Sequence, residues 1–315
     1  MSEDRPLNNP FKRPQTLLAA IRSALKPICV TALTLISSLS WAQNSQTPAE
    51  RAAALAAELA SPRPIAAGQS YWLEELTWME IRDLVAEGTT TIIIPTGGIE
   101  ENGPYLATGK HNAIMQGTCP AIATNLGNAL CAPIVKFVPE GNIEPPTGAM
   151  LYPGSISLSA ATYEALLTDI ASSLKQSGFT NIVMIGDSGG NQQGMANVAD
   201  ALSQKWAGSA TQIHFVREFY DPGWVETEQY TEHTLGIKEN GNDGYHDDIW
   251  VTTMMMVTDP ELVRLNQRVD AGLASINGVA ITPLADAVKL GRDMMEFRAG
   301  FTADAIRKAI AAKDQ

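Results

Sequence analysis

The chain has 315 residues, of which 45% are hydrophobic and 18% charged, and a net charge of −12 at pH 7. That length and apolar share suffice for one large core or two small ones and exclude a disordered chain. The acidic balance repels nucleic acid and anionic lipid, so a small molecule is the expected partner.

Arg5, Lys12, Arg13, Arg22 and Lys26 precede an uncharged apolar run from Ile28 to Leu39, followed by Ser40-Trp41-Ala42. A basic region, a short apolar region and a small-residue site form the order of a secretory signal. The run is too short to span a bilayer comfortably, so an uncleaved anchor is the weaker alternative. Residues 1–42 are therefore expected to be a signal peptide, the protein periplasmic or secreted, and the mature chain free of the membrane. Cys29 falls in this segment and leaves Cys119 and Cys131. An oxidising compartment permits a disulfide between them, while apolar flanks fit two buried thiols equally well. Without a C-x-x-C pair, a thiolate zinc cage is excluded.

Residues 43–69, rich in Ala with scattered Pro, read as a linker with a short helix, and 70–315 as a single domain. Trp72 to Glu87 has helical spacing, and Thr89 to Pro95 is a β-branched run expected of a strand buried on both faces. Ala113 to Leu130 reads as a helix and Ala132 to Val138 as a strand. Ser159 to Gln176 is a Ser-capped helix broken by Gly178, and Asn181 to Ile185 a second buried strand. A helix over Gln192 to Trp206 and a strand over Gln212 to Val216 follow. Strands alternating with helices predict an α/β sandwich with a mainly parallel sheet, reactive groups gathering where strands end.

Two strand ends are dense in Gly and polar residues: Pro95 to Asn112 (PTGGIEENGPYLATGKHN) and Gly186 to Asn191 (GDSGGN). Of the four histidines, His111 lies in the first. His246 lies in GYHDD before the apolar run Trp250 to Val257, and imidazole beside Asp247 and Asp248 suits Zn²⁺, Mn²⁺ or Fe²⁺. Asp248 can equally cap the helix that follows. His214, in a strand pattern, and His233, in a polar stretch, carry no expected chemistry. Gly186-Asp187-Ser188-Gly189-Gly190 matches the nucleophile loop of trypsin-like proteases. Its buried-strand-to-helix context and the lack of an Ala-Ala-His-Cys motif argue against that fold. A serine nucleophile on a different fold remains, with Ser188 pairing with His111 or His246. Trp72, Trp78, Trp224, Trp250 and Tyr152 could line a pocket, although spaced aromatics more often build core.

Pro95-x-Gly-Gly-x-Glu-x-x-Gly-Pro-x-Leu, then Pro153-Gly-Ser-Ile-Ser-Leu, then Gly178-Phe179 leading to Gly189-Gly190-Asn191, and His246 followed by Thr252-Thr253 and Asp259-Pro260, together resemble the creatininase family. The resemblance implies a three-layer α/β/α sandwich, a homo-oligomer, often a hexamer among known members, and hydrolysis of a cyclic or linear small-molecule amide by metal-activated water. It maps Glu100 onto a glutamate ligand. Asn102 stands for a histidine ligand, His111 for the bridging aspartate, Ser188 for a histidine, and Gly190 for a glutamate. The replaced ligands favour one divalent ion, Zn or Mn, over two. Glu100, His111 and Asp187, with His246, are the expected ligands, and His246 or Asp248 the expected base. The alternatives are a serine hydrolase using Ser188 and a non-catalytic small-molecule-binding relative.

Overall fold

The computed structural model describes residues 47–242 and 244–313, so the leader expected over 1–42 lies outside the described residues. The chain divides into two compact units at Pro64 and Ile65. The first contains α1 (Pro48–Ala60), opened by a capping box in which Thr47 and Glu50 satisfy each other's backbone amides.

The second unit holds the sheet. After α2 (Trp78–Ala86) come β1 (Thr91–Thr96), α3 (Lys110–Leu126), β2 (Ala129–Cys131), α4 (Ala160–Gln176), β3 (Asn181–Gly186), α5 (Gln192–Lys205) and β4 (Gln212–Phe215). They are followed by α6 (Gly223–Gln229), α7 (Ile249–Thr258), α8 (Leu265–Asp270), a short hairpin of β5 (Ser275–Ile276) and β6 (Val279–Ala280), and the 30-residue α9 (Leu284–Lys313). The main sheet is parallel, in the order β2-β1-β3-β4. Central β1 is buried at every position. Alternation along it sends Ile92 and Ile94 to one face, against Tyr163 and Leu167 of α4 and Met195 and Val198 of α5. Ile93 goes to the other, against Met115 and Ile122 of α3 and Ala299, Ala303 and Ile306 of α9. The fold is therefore an α/β/α sandwich, with helices on both faces of a parallel sheet.

Three expectations shift. The helix expected to start at Ala113 starts at Lys110 and stops at Gly127, whose φ of 81° suits glycine, which puts Leu130 in β2. Ala132 to Val138 is not a regular strand: Pro133 has no N–H to donate, and the segment touches its neighbours through isolated bridges at Val135 and Val138. Within Trp72 to Glu87, a 3₁₀ turn at Leu73–Glu75 precedes α2. The helix over 160–176 is capped by Ser159, as its sequence indicated. Cys119 and Cys131 form a disulfide joining α3 to β2. Among the described residues no helix is long and apolar enough to cross a membrane.

Candidate active site

The carboxyl ends of β1 and β3 lie side by side, Thr96 opposite Gly186. The Asp187 amide donates to the Thr96 carbonyl at 3.1 Å. The Asn191 side-chain amide donates to Thr96 O at 3.1 Å, Thr96 Oγ1 at 2.8 Å and Gly97 O at 2.9 Å. Asn112, in the first turn of α3, donates to Gly98 O at 2.9 Å and accepts from Gly98 N at 3.3 Å. These bonds lock the two Gly-rich loops together and bring Lys110 and His111 against them.

His111 is the centre of a buried chain of charges. Its Nδ1 lies 2.7 Å from Asp187 Oδ2 and its Nε2 2.7 Å from Glu100 Oε1. Arg298, fully buried on α9, places a guanidinium nitrogen 2.8 Å from Asp187 Oδ1. Its Nε and Nη2 donate to the Phe219 carbonyl at 3.3 and 2.9 Å, and its Cζ stands 3.9 Å from the Phe219 ring centroid. At the other end the buried Lys110 Nζ is 3.6 Å from Glu100 Oε1 and donates to the His246 carbonyl at 3.3 Å. Burial and Lys110 oppose protonation of His111, but hydrogen bonds to Asp187 and Glu100 prevail and raise its pKa. Burial would raise both carboxylates as well. The His111 hydrogen bond and charge, with Lys110, instead hold Glu100 down at about 2. Arg298 and His111 hold Asp187 well below the usual carboxylate range.

Beside this chain stands Glu140, in the loop after β2. Ser188 Oγ donates to Glu140 Oε2 at 3.0 Å, and the Glu140 amide donates to Ser157 Oγ at 2.9 Å. Two glycines make room. A Cβ at Gly98 would fall 2.1 Å from Glu140 Oε1, and one at Gly190 only 1.8 Å from the Pro139 carbonyl oxygen. Burial, then the Glu100 carboxylate, push Glu140 up to about 7 against the lowering pull of His111 and Ser188. Folded Glu140 thus keeps a proton that an unfolded glutamate releases near 4.5, so this group's contribution to stability falls as pH rises from 4.5 to about 7. Thermal unfolding across that range is expected to show Tm decreasing with pH, and Glu140→Gln to flatten the slope; an unchanged slope would argue against a buried proton at Glu140.

Glu100, His111 and Asp187 are brought together, and Ser188 adjoins them through Glu140. His246 stands at the rim, its side chain largely exposed and its Nδ1 3.9 Å from Glu100 Oε1; its carbonyl, not its ring, meets Lys110. Asp248 is at the N-cap of α7 without a side-chain capping bond, and lines a separate cavity with Glu228 and Glu239. His214 is buried in β4, its Nε2 3.3 Å from Asn181 Oδ1, and His233 is exposed. Trp72 and Trp250 are core, whereas Trp224 lines a cavity of about 610 Å³ with Gly189, Gln192, Phe215 and Tyr220. Sequence reasoning missed Lys110, Glu140 and Arg298. Only Lys110, adjoining His111, lay within a segment already marked by composition.

An α/β sandwich with carboxylates, an imidazole and glycine-rich turns gathered where two parallel strands end is the framework of a small-molecule hydrolase. Residues 74–309 match the model of the creatininase family, creatinine amidohydrolase, and the chain belongs to that family. It is accordingly a hydrolase acting on carbon–nitrogen bonds other than peptide bonds, within a family of metal-dependent amidohydrolases. A creatinine amidohydrolase from Pseudomonas putida is 25% identical over 225 residues, 70% of this chain and 84% of that protein. A manganese form of creatininase superposes with a TM-score of 0.56 at 22% identity, over 76% of this chain and 98% of the other. A mutant creatininase of zinc–zinc type gives 0.53 at 21% identity over the same shares.

The side chains at this site do not fit such a metal as they stand. Among the described residues no group of three or more His, Cys, Asp or Glu side chains is disposed to hold a metal ion. A ligating imidazole needs one bare nitrogen, and both nitrogens of His111 face carboxylate oxygens at 2.7 Å. Asp187 is divided between His111 and Arg298.

Proposed function

We propose that the protein hydrolyses an amide-like C–N bond, cyclic or linear, in a small molecule bound at the carboxyl end of β3. The observation that carries this reading is the Glu140–Ser188 contact at the Gly189-Gly190 turn, beside a cavity of about 610 Å³ that Gly189 helps to line. That size suits a small organic ligand. Phe215, Tyr220 and Trp224 give the cavity apolar walls, and Gln192 and Gln193 give it amide groups. The family metal supplies Lewis acidity and an activated water where its ligands are present. Glu140, ionising near neutrality, takes a proton from the attacking water and returns it to the leaving nitrogen. The amides of Gly189 and Gly190, at the start of the turn into α5, face the oxygen on which charge develops. The buried chain from Lys110 to Arg298 fixes the floor of the site.

The test is release of amine or carboxylate from a panel of lactams, linear amides and related rings, creatinine included. Glu140→Gln is expected to lower kcat by about 10² or more with little change in KM, as removal of a general base does. Equal kcat in the variant, or no turnover of any C–N substrate by the native chain, would overturn the reading. The same Ser188–Glu140 contact favours one second reading, in which Ser188 is itself the nucleophile. Stoichiometric labelling of Ser188 by a fluorophosphonate supports that course, and unlabelled, active protein supports water. The expected export to the periplasm or beyond is proposed on the leader alone.

A further inference from the structure

We infer that the buried chain Lys110–Glu100–His111–Asp187–Arg298 takes the place of the divalent metal in this protein, and that the site excludes such an ion in its working state.

Three independent observations lead there. The first is the hydrogen-bond valence of His111. Two carboxylate oxygens at 2.7 Å, one at each ring nitrogen, require an N–H on both sides, so no lone pair remains for a cation. The second is the placement of fixed charge. Lys110 and Arg298 are fully buried, one 3.6 Å from Glu100 and the other 2.8 Å from Asp187, so both carboxylates that flank His111 already have a cation. A buried charge persists only with a partner, and a dication set beside Lys110 would add strong repulsion in a water-poor pocket. The third is steric. Gly190 has the Pro139 carbonyl 1.8 Å from where its Cβ would project, so the backbone of the Glu140 loop fills the space a ligating side chain at 190 would need. Glu140 enters from that loop, its Oε2 accepting from Ser188 Oγ.

The electrostatic work of a metal, holding Glu100 ionised and fixing the strand ends, is here assigned to an ammonium, an imidazolium and a guanidinium supplied by α3 and α9. The inference goes beyond the proposed reaction, because it concerns what charges the site and does not depend on which amide is cleaved.

The experiment is metal titration of the purified native chain, read by elemental analysis after dialysis against Mn²⁺ or Zn²⁺ and by the visible ligand-field bands of added Co²⁺. The expected result is substoichiometric metal, no saturable Co²⁺ band, and an unfolding midpoint unchanged by EDTA. One or more tightly held ions per chain, or a midpoint that falls on chelation, would overturn the inference. Lys110→Met supplies the second arm. With the competing ammonium gone, Co²⁺ is expected to bind at least about tenfold more tightly than to the native chain, a shift of ~1.4 kcal/mol. Equal affinity in the two proteins overturns the role given to Lys110. Both readouts are independent of turnover, so an inactive but metal-free chain would refute the proposed reaction and leave this inference standing.

Discussion

Arg298→Met is expected to destabilise the protein by about 3–5 kcal/mol, the usual cost of removing one partner from a buried ion pair. Asp187 is fully buried, and its Oδ1 faces the guanidinium at 2.8 Å. With Arg298 gone that oxygen loses its cation in a place water does not reach, while the apolar methionine stem still packs against Phe219 and Trp250. Most of the loss therefore comes from the stranded carboxylate rather than from lost volume. Urea unfolding of the variant measures it. Adding Asp187→Asn should recover at least about 1 kcal/mol, because neighbours sharing one network are not additive. A double variant as unstable as the sum of the two singles would show that the pair is not coupled.

Loss of the Cys119–Cys131 bridge is the second large effect. The bridge closes a loop with a sequence separation of 12, for which the chain-entropy account gives about 3 kcal/mol. Both cysteines are fully buried, Cys119 on α3 and Cys131 at the end of β2. Replacing both with Ala should lower Tm by roughly 6–12 °C, at about 2–4 °C per kcal/mol for a domain of this size. Scanning calorimetry of the variant against the oxidised protein checks it, and a difference under about 2 °C would set the entropic account aside. Because α3 carries Lys110 and His111 at its other end, the bridge tethers the helix that delivers the site's cations.

Much of the fold was legible because burial writes itself into the sequence. β1 and β3 lie within a sheet covered on both sides, and each appears as an unbroken apolar run. The Ser159 cap and the Gly178 stop are local chemistry. The strand expected over 132–138 failed for a local reason too, since Pro133 interrupts pairing. At the site, Glu100, His111, Asp187 and Ser188 were legible because the Gly-rich loops mark the strand ends. Their roles were not. A histidine between two carboxylates and a histidine on a metal have the same one-letter context, and what separates them is Arg298, on a helix past the last recognisable motif. An arginine among alanines and methionines of a long helix gives no sign that it is buried against an aspartate on another element. Glu140 was equally silent, since VPEGN reads as a turn and its carboxyl reaches Ser188 only after the sheet has assembled.

The Pro139 carbonyl beneath Gly190 bears on which changes the site can accept. Positions 102, 111 and 188 already carry side chains. Position 190 is different: while the 139–140 backbone lies where it does, even a methyl group there meets a carbonyl oxygen at 1.8 Å. A glutamate introduced there requires the loop to withdraw first. The arrangement acts as a latch, in which the backbone itself must be displaced before position 190 can carry anything but glycine.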